Sequence, residues 1–164
     1  MNNKVDQFWS MMDADDQDVQ DEGFKKWFEF VGEHTQYVDT FKDYLPKRFY
    51  EIYRKTNFHD FKIIDVSYFS KPPRMTWVKL LIYDYFEDYG KDLYYNLVYR
   101  DVKEFQLSVS TTANNITWGY DILELIDSSN ILRHRIKFSD GASMNVVSKT
   151  INLIKAKPPS VAKK

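Results

Sequence analysis

Two residues capable of acid–base chemistry stand side by side at His59-Asp60. An aspartate beside a histidine can orient or charge the imidazole, so such a pair can act in proton transfer or as metal ligands. A metal site needs three or four ligands, and the only other histidines in the sequence are His34 and His134. His34 has no histidine four residues later to form a helical ligand pair, since that position is Val38. The structural interpretation is that Asp60 caps a junction while His59 satisfies buried backbone groups. We keep both residues as candidates for binding and predict no metal site.

A second group of candidates lies at Trp118-Gly119-Tyr120-Asp121 and Glu124. On a strand, Trp118 and Tyr120 share one face and Asp121 lies on the other. Asp121 and Glu124 would form a carboxylate pair of the kind that glycosidases use only where a bulge brings them to one side. Packing of the two aromatic rings in a core is the alternative. The stretch therefore predicts either a core strand or one wall of a ligand site.

Basic residues alternate with apolar ones at Arg133, Arg135 and Lys137. A solvated sheet face explains this pattern, and docking of an acidic partner or a phosphate is the functional interpretation. With tyrosines available for base stacking, the same strand could bind single-stranded nucleic acid. The net charge of -1 disfavours nucleic acid, because such proteins usually carry a basic excess. The residues between the cations form the largely apolar opposite face: Leu132, His134, Ile136 and Phe138.

Negative charge is concentrated near the start of the chain, in residues 13–22, which hold six acids and no base. We call these residues the acidic segment. A solvated connection is one interpretation, and an acidic surface for a basic partner is the other. Residues 1–60 carry a formal charge of -5 and residues 61–164 one of +4. Asp15, Asp16 and Asp18 are therefore candidates for contacting a partner.

Absent motifs and residue types narrow the function. No P-loop, dinucleotide-binding glycine motif, nucleophile elbow or zinc-protease motif is present. The chain has no cysteine, which removes disulfides and thiol chemistry, and only five glycines. No signal peptide or apolar stretch of membrane-spanning length occurs, so we predict a cytoplasmic protein. These absences favour a binding protein over an enzyme, with no cofactor.

The candidate residues must be positioned by two kinds of element, because the apolar period changes near residue 57. Before it, apolar residues recur at helical spacing and predict four helices: one over Val5 to Met12, and one with Phe24, Trp27 and Phe28 on its inner face. Gly32 is expected to end the second helix. A third follows from residue 35, and Pro46 opens a fourth.

After residue 57 the period is that of strands, and seven are predicted, at 61–69, 75–85, 93–99, 102–109, 116–126, 130–138 and 142–154. Turns are expected at 87–92 and 111–115, a bulge at Ile122-Leu123, and a hairpin at Asp140-Gly141. Short links imply antiparallel neighbours. The fold class is α+β: N-terminal helices packed on a curved antiparallel β-meander of six or seven strands. One domain spans residues 1–156, helical to 57, and residues 157–164 form a flexible basic tail.

Four short motifs together resemble those of a known group of proteins: Leu45-Pro46 before a helix, His59-Asp60 entering the strands, 118–124, and the Asp140-Gly141 hairpin. This arrangement resembles a group of uncharacterised bacterial proteins of the domain-of-unknown-function type, over about residues 44–155. It is also similar to small immunity proteins encoded beside secreted bacterial toxins. The family has no established catalytic residues. The resemblance implies a stoichiometric binder that occupies a toxin surface.

The expected function is accordingly a non-catalytic bacterial protein that binds a partner protein, as an immunity protein or antitoxin does. The first alternative is a small-ligand or hydrolytic site around His59, Asp60 and residues 118–121, and the second is a module for single-stranded nucleic acid. No membrane contact is expected. The residues expected at the partner interface are Asp15, Asp16, Asp18, His59, Asp60, Trp118, Tyr120, Asp121, Glu124, Arg133 and Arg135.

Overall fold

Three helices precede six strands, which confirms the α+β class. The computed structural model of the protein describes residues 2–56, 58–71, 74–84, 93–108, 116–126 and 130–159. It forms two compact units, Met1–Thr40 and Phe41–Lys164. The elements are α1 (Asn2–Met12), α2 (Gln17–Asp39), a 3-10 turn (Lys42–Tyr44), α3 (Lys47–Thr56), β1 (Lys62–Lys71), β2 (Arg74–Asp84), β3 (Leu93–Ser108), β4 (Trp118–Ile126), β5 (Ile131–Phe138) and β6 (Ser143–Ala156).

The first unit is a hairpin of α1 and α2 held by aromatic rings. Trp9 and Trp27 lie with ring centroids 6.0 Å apart, as do Phe8 and Phe30. The two helices approach closely at Gly23, where a Cβ would lie 2.8 Å from the Cβ of Met11. A side chain at this position would force the helices apart.

Helix α2 begins inside the acidic segment and continues past the glycine expected to end it. The Asp16 carboxylate accepts hydrogen bonds from the backbone N–H groups of Asp18 and Val19, at 3.0 and 3.2 Å, and so caps the helix. The interpretation of 13–22 as one loop is therefore wrong beyond residue 16. Gly32 does not stop α2, because it lacks the left-handed conformation of a C-terminal cap and the buried stripe continues to His34 and Val38. Three helices and a 3-10 turn replace the four predicted.

In the second unit the strands form one sheet in the order β1-β2-β3-β6-β5-β4, with every neighbouring pair antiparallel. Two three-stranded meanders therefore join through β3 and β6, so β4 does not pair with β3 as a simple meander would require. The strands predicted at 93–99 and 102–109 form the single long β3, whose register shifts between Val102 and Glu104. A bulge let one strand continue where the sequence pattern changes phase.

The two edge strands meet at one end of the sheet through a bridge between Lys62 and Thr117. Trp118 donates its backbone N–H to Phe61 at 2.8 Å, and Ile63 donates to Ile116 at 2.9 Å. The register of β4 shifts between Trp118 and Tyr120, and not at Ile122 as predicted. Gly119 occupies this shift because a Cβ there would lie 3.0 Å from the Lys137 carbonyl oxygen.

Helix α3 covers one face of the sheet, which we call the inner face. Phe49 and Tyr53 of α3 are buried, and each ring lies 6.2 Å from the His134 ring of β5. Because α3 belongs with the strands, the units divide at Thr40, before the predicted change of period at 57.

The Asp140-Gly141 hairpin is confirmed, with Gly141 at φ 82°. The turns predicted at 87–92 and 111–115, and residues 160–164 of the predicted tail, lie outside the described residues.

Candidate functional site

The His59-Asp60 pair lies at the surface of the turn that leads into β1. His59 Nδ1 lies 2.8 Å from Asp60 Oδ2, and the two side chains are 48% and 55% exposed. The Asp60 backbone N–H donates to the Trp118 carbonyl oxygen at 2.8 Å. The interpretation that His59 satisfies buried backbone groups is therefore wrong, and Asp60 secures the junction through its main chain. Phe58 and Asp60 both have positive φ, 51° and 66°, which turns the Phe58 ring into the core and the pair outward.

The structure brings several sequence candidates to this junction without forming an open cleft. The His59 ring lies 5.5 Å from the Tyr120 ring, and the Phe58 ring lies 5.2 Å from that of Trp118. Trp118 and Asp121, however, are buried, with exposures of 0% and 4%. A substrate at His59 would therefore not reach the Asp121 carboxylate.

A second histidine–aspartate pair, whose members are not adjacent in the sequence, is fully buried on the inner face. His134 Nε2 lies 2.7 Å from Asp121 Oδ2, and their side chains are 1% and 0% exposed. The other ring nitrogen, Nδ1, lies 2.7 Å from the Tyr99 hydroxyl. Strands β3, β4 and β5 thus each contribute one member, and we call Tyr99, His134 and Asp121 the buried triad.

The surroundings of the triad fix its proton positions. Burial raises the pKa of Asp121, while the His134 hydrogen bond and charge, the Trp118 indole and the His59 charge act in the opposite direction. Burial and the Asp121 charge also hold the pKa of Tyr99 well above its usual value. A phenol that keeps its proton can donate to His134 Nδ1, and the Nε2–H then donates to the carboxylate. We assign this tautomer because it satisfies both short contacts.

A carboxylate, an imidazole and a hydroxyl in this order can activate the hydroxyl as a nucleophile where substrate reaches it. Here all three side chains are buried, and aromatic rings surround the imidazole on several sides. The arrangement therefore orients the three strands under α3. Asp121 Oδ1 accepts no hydrogen bond of good geometry from the described residues, and the nearby Trp118 indole N–H, which also lacks one, compensates this oxygen only in part.

The sequence contained an indirect signal for this triad. His134 was predicted on the apolar face of its strand, between Leu132 and Ile136, and a polar residue in an apolar stripe needs a buried partner. Its partner Tyr99 lies in the strand predicted at 93–99. The pairing that brings the two together depends on the sheet order, so the partner could not be read from the sequence.

The basic strand β5 is interior to the sheet, so its cations do not protect an edge. Arg135 Nε lies 3.9 Å from Glu124 Oε2, and both side chains are largely buried. Arg133 pairs across the strands with Glu124, and Lys137 with Tyr120. Glu124 therefore faces these cations, and the carboxylate pair with Asp121 does not form, since Asp121 lies opposite Ile136 on the other face.

The acidic candidates of the first unit are exposed, and one of them has a structural task. Asp15 and Asp18 face solvent, and Asp16 caps α2. Beyond them, α2 carries an exposed aromatic ring at Phe28, whose side chain is 69% exposed. The prediction that Phe28 lies on the buried side of its helix is wrong, because Trp27, His34 and Val38 define a buried stripe of α2 that leaves Phe28 outside it.

Within the described residues, no group of three or more histidine, cysteine or acidic side chains could hold a metal ion. None of the described helices combines the length and the apolar character needed to cross a bilayer. Comparison of the chain with family models, with curated proteins and with solved structures finds no match. The function must therefore be inferred from the geometry, the charge distribution and the sequence motifs.

Proposed function

We propose that the protein binds a basic partner protein through the exposed side of α2, with Phe28 as the central apolar contact. The observation that carries this proposal is the exposure of Phe28, at 69%. The other aromatic residues of α1 and α2 are buried or half-buried. Aromatic anchors commonly dominate the energy of protein interfaces, especially when charged residues surround them.

The charge of the first unit indicates the chemistry of the partner. Residues 1–40 contain three basic and ten acidic residues, a formal charge of -7, whereas residues 41–164 carry +6. The exposed acidic residues of α2 outnumber its one exposed basic residue, Lys25: they are Asp18, Asp21, Glu22, Glu29 and Glu33. A basic surface would meet complementary charge there, which accelerates association and favours the correct partner.

The surface next to Phe28 has room for a side chain of the partner. Gly32 follows Phe28 by one helical turn, and nothing lies within 4 Å of the position that its Cβ would take. An apolar partner residue can therefore pack against the ring while basic residues meet the surrounding acids. In this binding mode α2 docks in a groove of the partner, with Phe28 as the apolar anchor and charged residues at the edge of the interface.

We further propose that the partner is a toxin and that binding neutralises it. The similarity of the sequence motifs to immunity proteins supports this identity, and an acidic helix suits a toxin whose active surface is basic. The two alternative functions receive less support. A ligand site around His59 would need Trp118 and Asp121 to be accessible, and both are buried. A nucleic-acid platform on β5 would need exposed cations, whereas the basic side chains of that strand are half-buried.

The test is capture of the partner from the native host at low salt, followed by measurement with both purified proteins. We expect a basic partner, binding with 1:1 stoichiometry, and loss of about thirtyfold or more in affinity for Phe28→Ala, as for an interface hot spot. Glu29→Lys with Glu33→Lys should slow association. Tyr44→Ala is the matched control, because Tyr44 is also an exposed aromatic residue but lies outside α2.

Neutralisation is tested separately, by co-expression of the captured protein with each variant. Wild type and Tyr44→Ala should restore growth if the captured protein is toxic, and Phe28→Ala should not. Equal affinity of wild type and Phe28→Ala for the purified partner would overturn the binding surface. A captured partner that is harmless to cells would leave the surface standing and overturn the toxin assignment.

A further inference from the structure

The sheet carries a cavity on the face opposite α3, which we call the outer face. Its volume is about 510 Å³, and the described residues that line it are Thr76, Trp77, Lys79, Val98, Arg100 and Asp101. This size lies within the range of sites for small molecules. We propose that this outer-face cavity binds a small organic anion with a planar apolar group, through Lys79, Arg100 and Trp77.

The strand register places the main lining residues on one surface. Trp77 lies directly opposite Arg100, and Lys79 directly opposite Val98. Because side chains alternate along a strand, all four point away from the inner face, where Val78 and its neighbours are buried. An aromatic ring, two cations and an aliphatic side chain are thus held by a rigid pair of strands.

The two cations are available to a ligand. Within the described part of the chain, neither Lys79 nor Arg100 takes part in an ion pair. The Lys79 ammonium lies 5.9 Å from the centroid of the Trp77 ring, which keeps it over the indole. With Asp101 at the same cavity, the lining has a formal charge of +1. Arginine can bind a carboxylate or phosphate with two parallel hydrogen bonds, and lysine adds a point charge.

Trp77 supplies a flat surface for the apolar part of the ligand. Its ring is partly exposed, and its other neighbour is the Phe69 ring of β1, stacked at 6.1 Å with an angle of 18° between the planes. This support fixes the indole orientation. A planar group that packs on the exposed part of the indole would bring its anionic substituent toward Lys79 and Arg100.

The backbone at the cavity is strained at two positions. Thr76 has φ 137° and Asp101 has φ 50°, conformations that these residues rarely adopt. Thr76 is the extra residue where the β1–β2 register shifts, and Asp101 is passed over between the β3–β6 pairs of Arg100 and Val102. Strained, non-glycine residues of this kind cluster at ligand sites. Ser67, the residue opposite Lys79, also has a buried hydroxyl without a hydrogen-bond partner among the described residues.

This inference concerns the second unit and stands independently of the binding surface on α2. It is tested by titrating the full chain with benzoate and with phenyl phosphate while following the Trp77 indole N–H by NMR. Benzamide, a planar molecule of the same shape without the charge, is the control ligand. We expect saturable shifts with at least one of the two anions at concentrations up to about 10 mM, and none with benzamide.

Variants then assign the binding to the cavity. Lys79→Gln and Arg100→Gln should each weaken binding about tenfold, because each removes a charge-assisted contact. Lys103→Gln is the matched control, since Lys103 is an exposed cation of β3, as Arg100 is, but does not line the cavity. Asp101→Asn should strengthen binding by removing the acid. Unchanged melting temperatures establish that each variant is folded.

The relative affinities of benzoate and phenyl phosphate decide between a carboxylate and a phosphate as the natural anion. The proposal would be overturned if benzamide bound as tightly as the better-binding anion, or if binding of that anion were unchanged in both Lys79→Gln and Arg100→Gln. The absence of any saturable shift with either anion would also overturn it.

Discussion

The two histidine–aspartate pairs have nearly the same nitrogen–oxygen distance and opposite surroundings. His59 and Asp60 lie 2.8 Å apart and are about half exposed, whereas His134 and Asp121 lie 2.7 Å apart and are buried. At the surface, water solvates each charge and competes for each hydrogen bond, so such a pair contributes little to stability. In the core, removal of one partner leaves a desolvated group with no compensation.

The distance between two titratable groups therefore does not indicate their role. In the sequence, His59-Asp60 was the stronger candidate for acid–base chemistry because its two residues are adjacent. The buried triad links three strands and lies against two residues of α3, Phe49 and Tyr53. Its loss should therefore reduce the free energy of unfolding more than loss of the exposed pair. The predictions below separate the two pairs by the size of their effects.

The largest effect is expected for His134→Ala. The change leaves the Asp121 carboxylate without its donor and the Tyr99 hydroxyl without its acceptor. We expect the free energy of unfolding to fall by about 3–5 kcal/mol, as in other buried pairs that lose one member. Urea denaturation followed by circular dichroism measures it. A loss smaller than that caused by His59→Ala would contradict the structural role of the triad.

A smaller loss is expected for Tyr99→Phe, which keeps the ring in the core and removes only the hydroxyl. His134 Nδ1 is then a buried acceptor without a donor, which costs about 1–3 kcal/mol. The same urea experiment detects it. Tyr44→Phe, an equal change at an exposed position, serves as the control and should leave the midpoint unchanged.

The pH dependence of stability should distinguish Asp121 from an exposed carboxylate. Because burial raises the Asp121 pKa in the folded state, the folded protein binds more protons than the unfolded chain between about pH 4 and that raised value. The contribution of this group to stability therefore decreases as the pH rises through the interval. Asp121→Asn removes the contribution.

Unfolding free energies of wild type and Asp121→Asn, measured from pH 4 to 7, test this expectation. The difference between the proteins reports Asp121 together with the groups coupled to it, chiefly His134, since residues far from Asp121 are common to both. Wild type should lose stability relative to the variant as the pH rises. A difference that stays constant over this range would show that the Asp121 pKa is not raised.

The smallest effect is expected for His59→Ala, within about 0.5 kcal/mol of wild type, as for most surface substitutions. Melting temperature and urea midpoint are the measurements. A loss above about 2 kcal/mol would mean that the imidazole stabilises the junction, in addition to the backbone bond from Asp60 to Trp118.

Much of the fold was predictable because apolar spacing is a local signal. The helix after Pro46, the alternating strand with its buried His134, and the Asp140-Gly141 hairpin all follow from patterns within about ten residues. Errors arose where a local signal competes with packing. Gly32 alone does not end a helix whose buried stripe continues, and Phe28 was assigned to the wrong side because helical spacing fits two neighbouring stripes.

The candidate sites were less predictable, since each joins residues from distant positions. Asp121 and His134 are 13 residues apart, and Tyr99 is 35 residues from His134. The outer-face cavity requires that β2 and β3 place Trp77 opposite Arg100. A register change of one residue would move these side chains to the other face of the sheet.

The sequence by itself determined the class of the fold, the positions of most elements and the uneven distribution of charge, because propensity, periodicity and ionisation are properties of residues and their near neighbours. Only the tertiary structure decided the order β1-β2-β3-β6-β5-β4, the burial of one histidine–aspartate pair and the exposure of the other. Burial and strand pairing depend on which distant segments meet, and the energy of a charged pair depends chiefly on how much water remains around it.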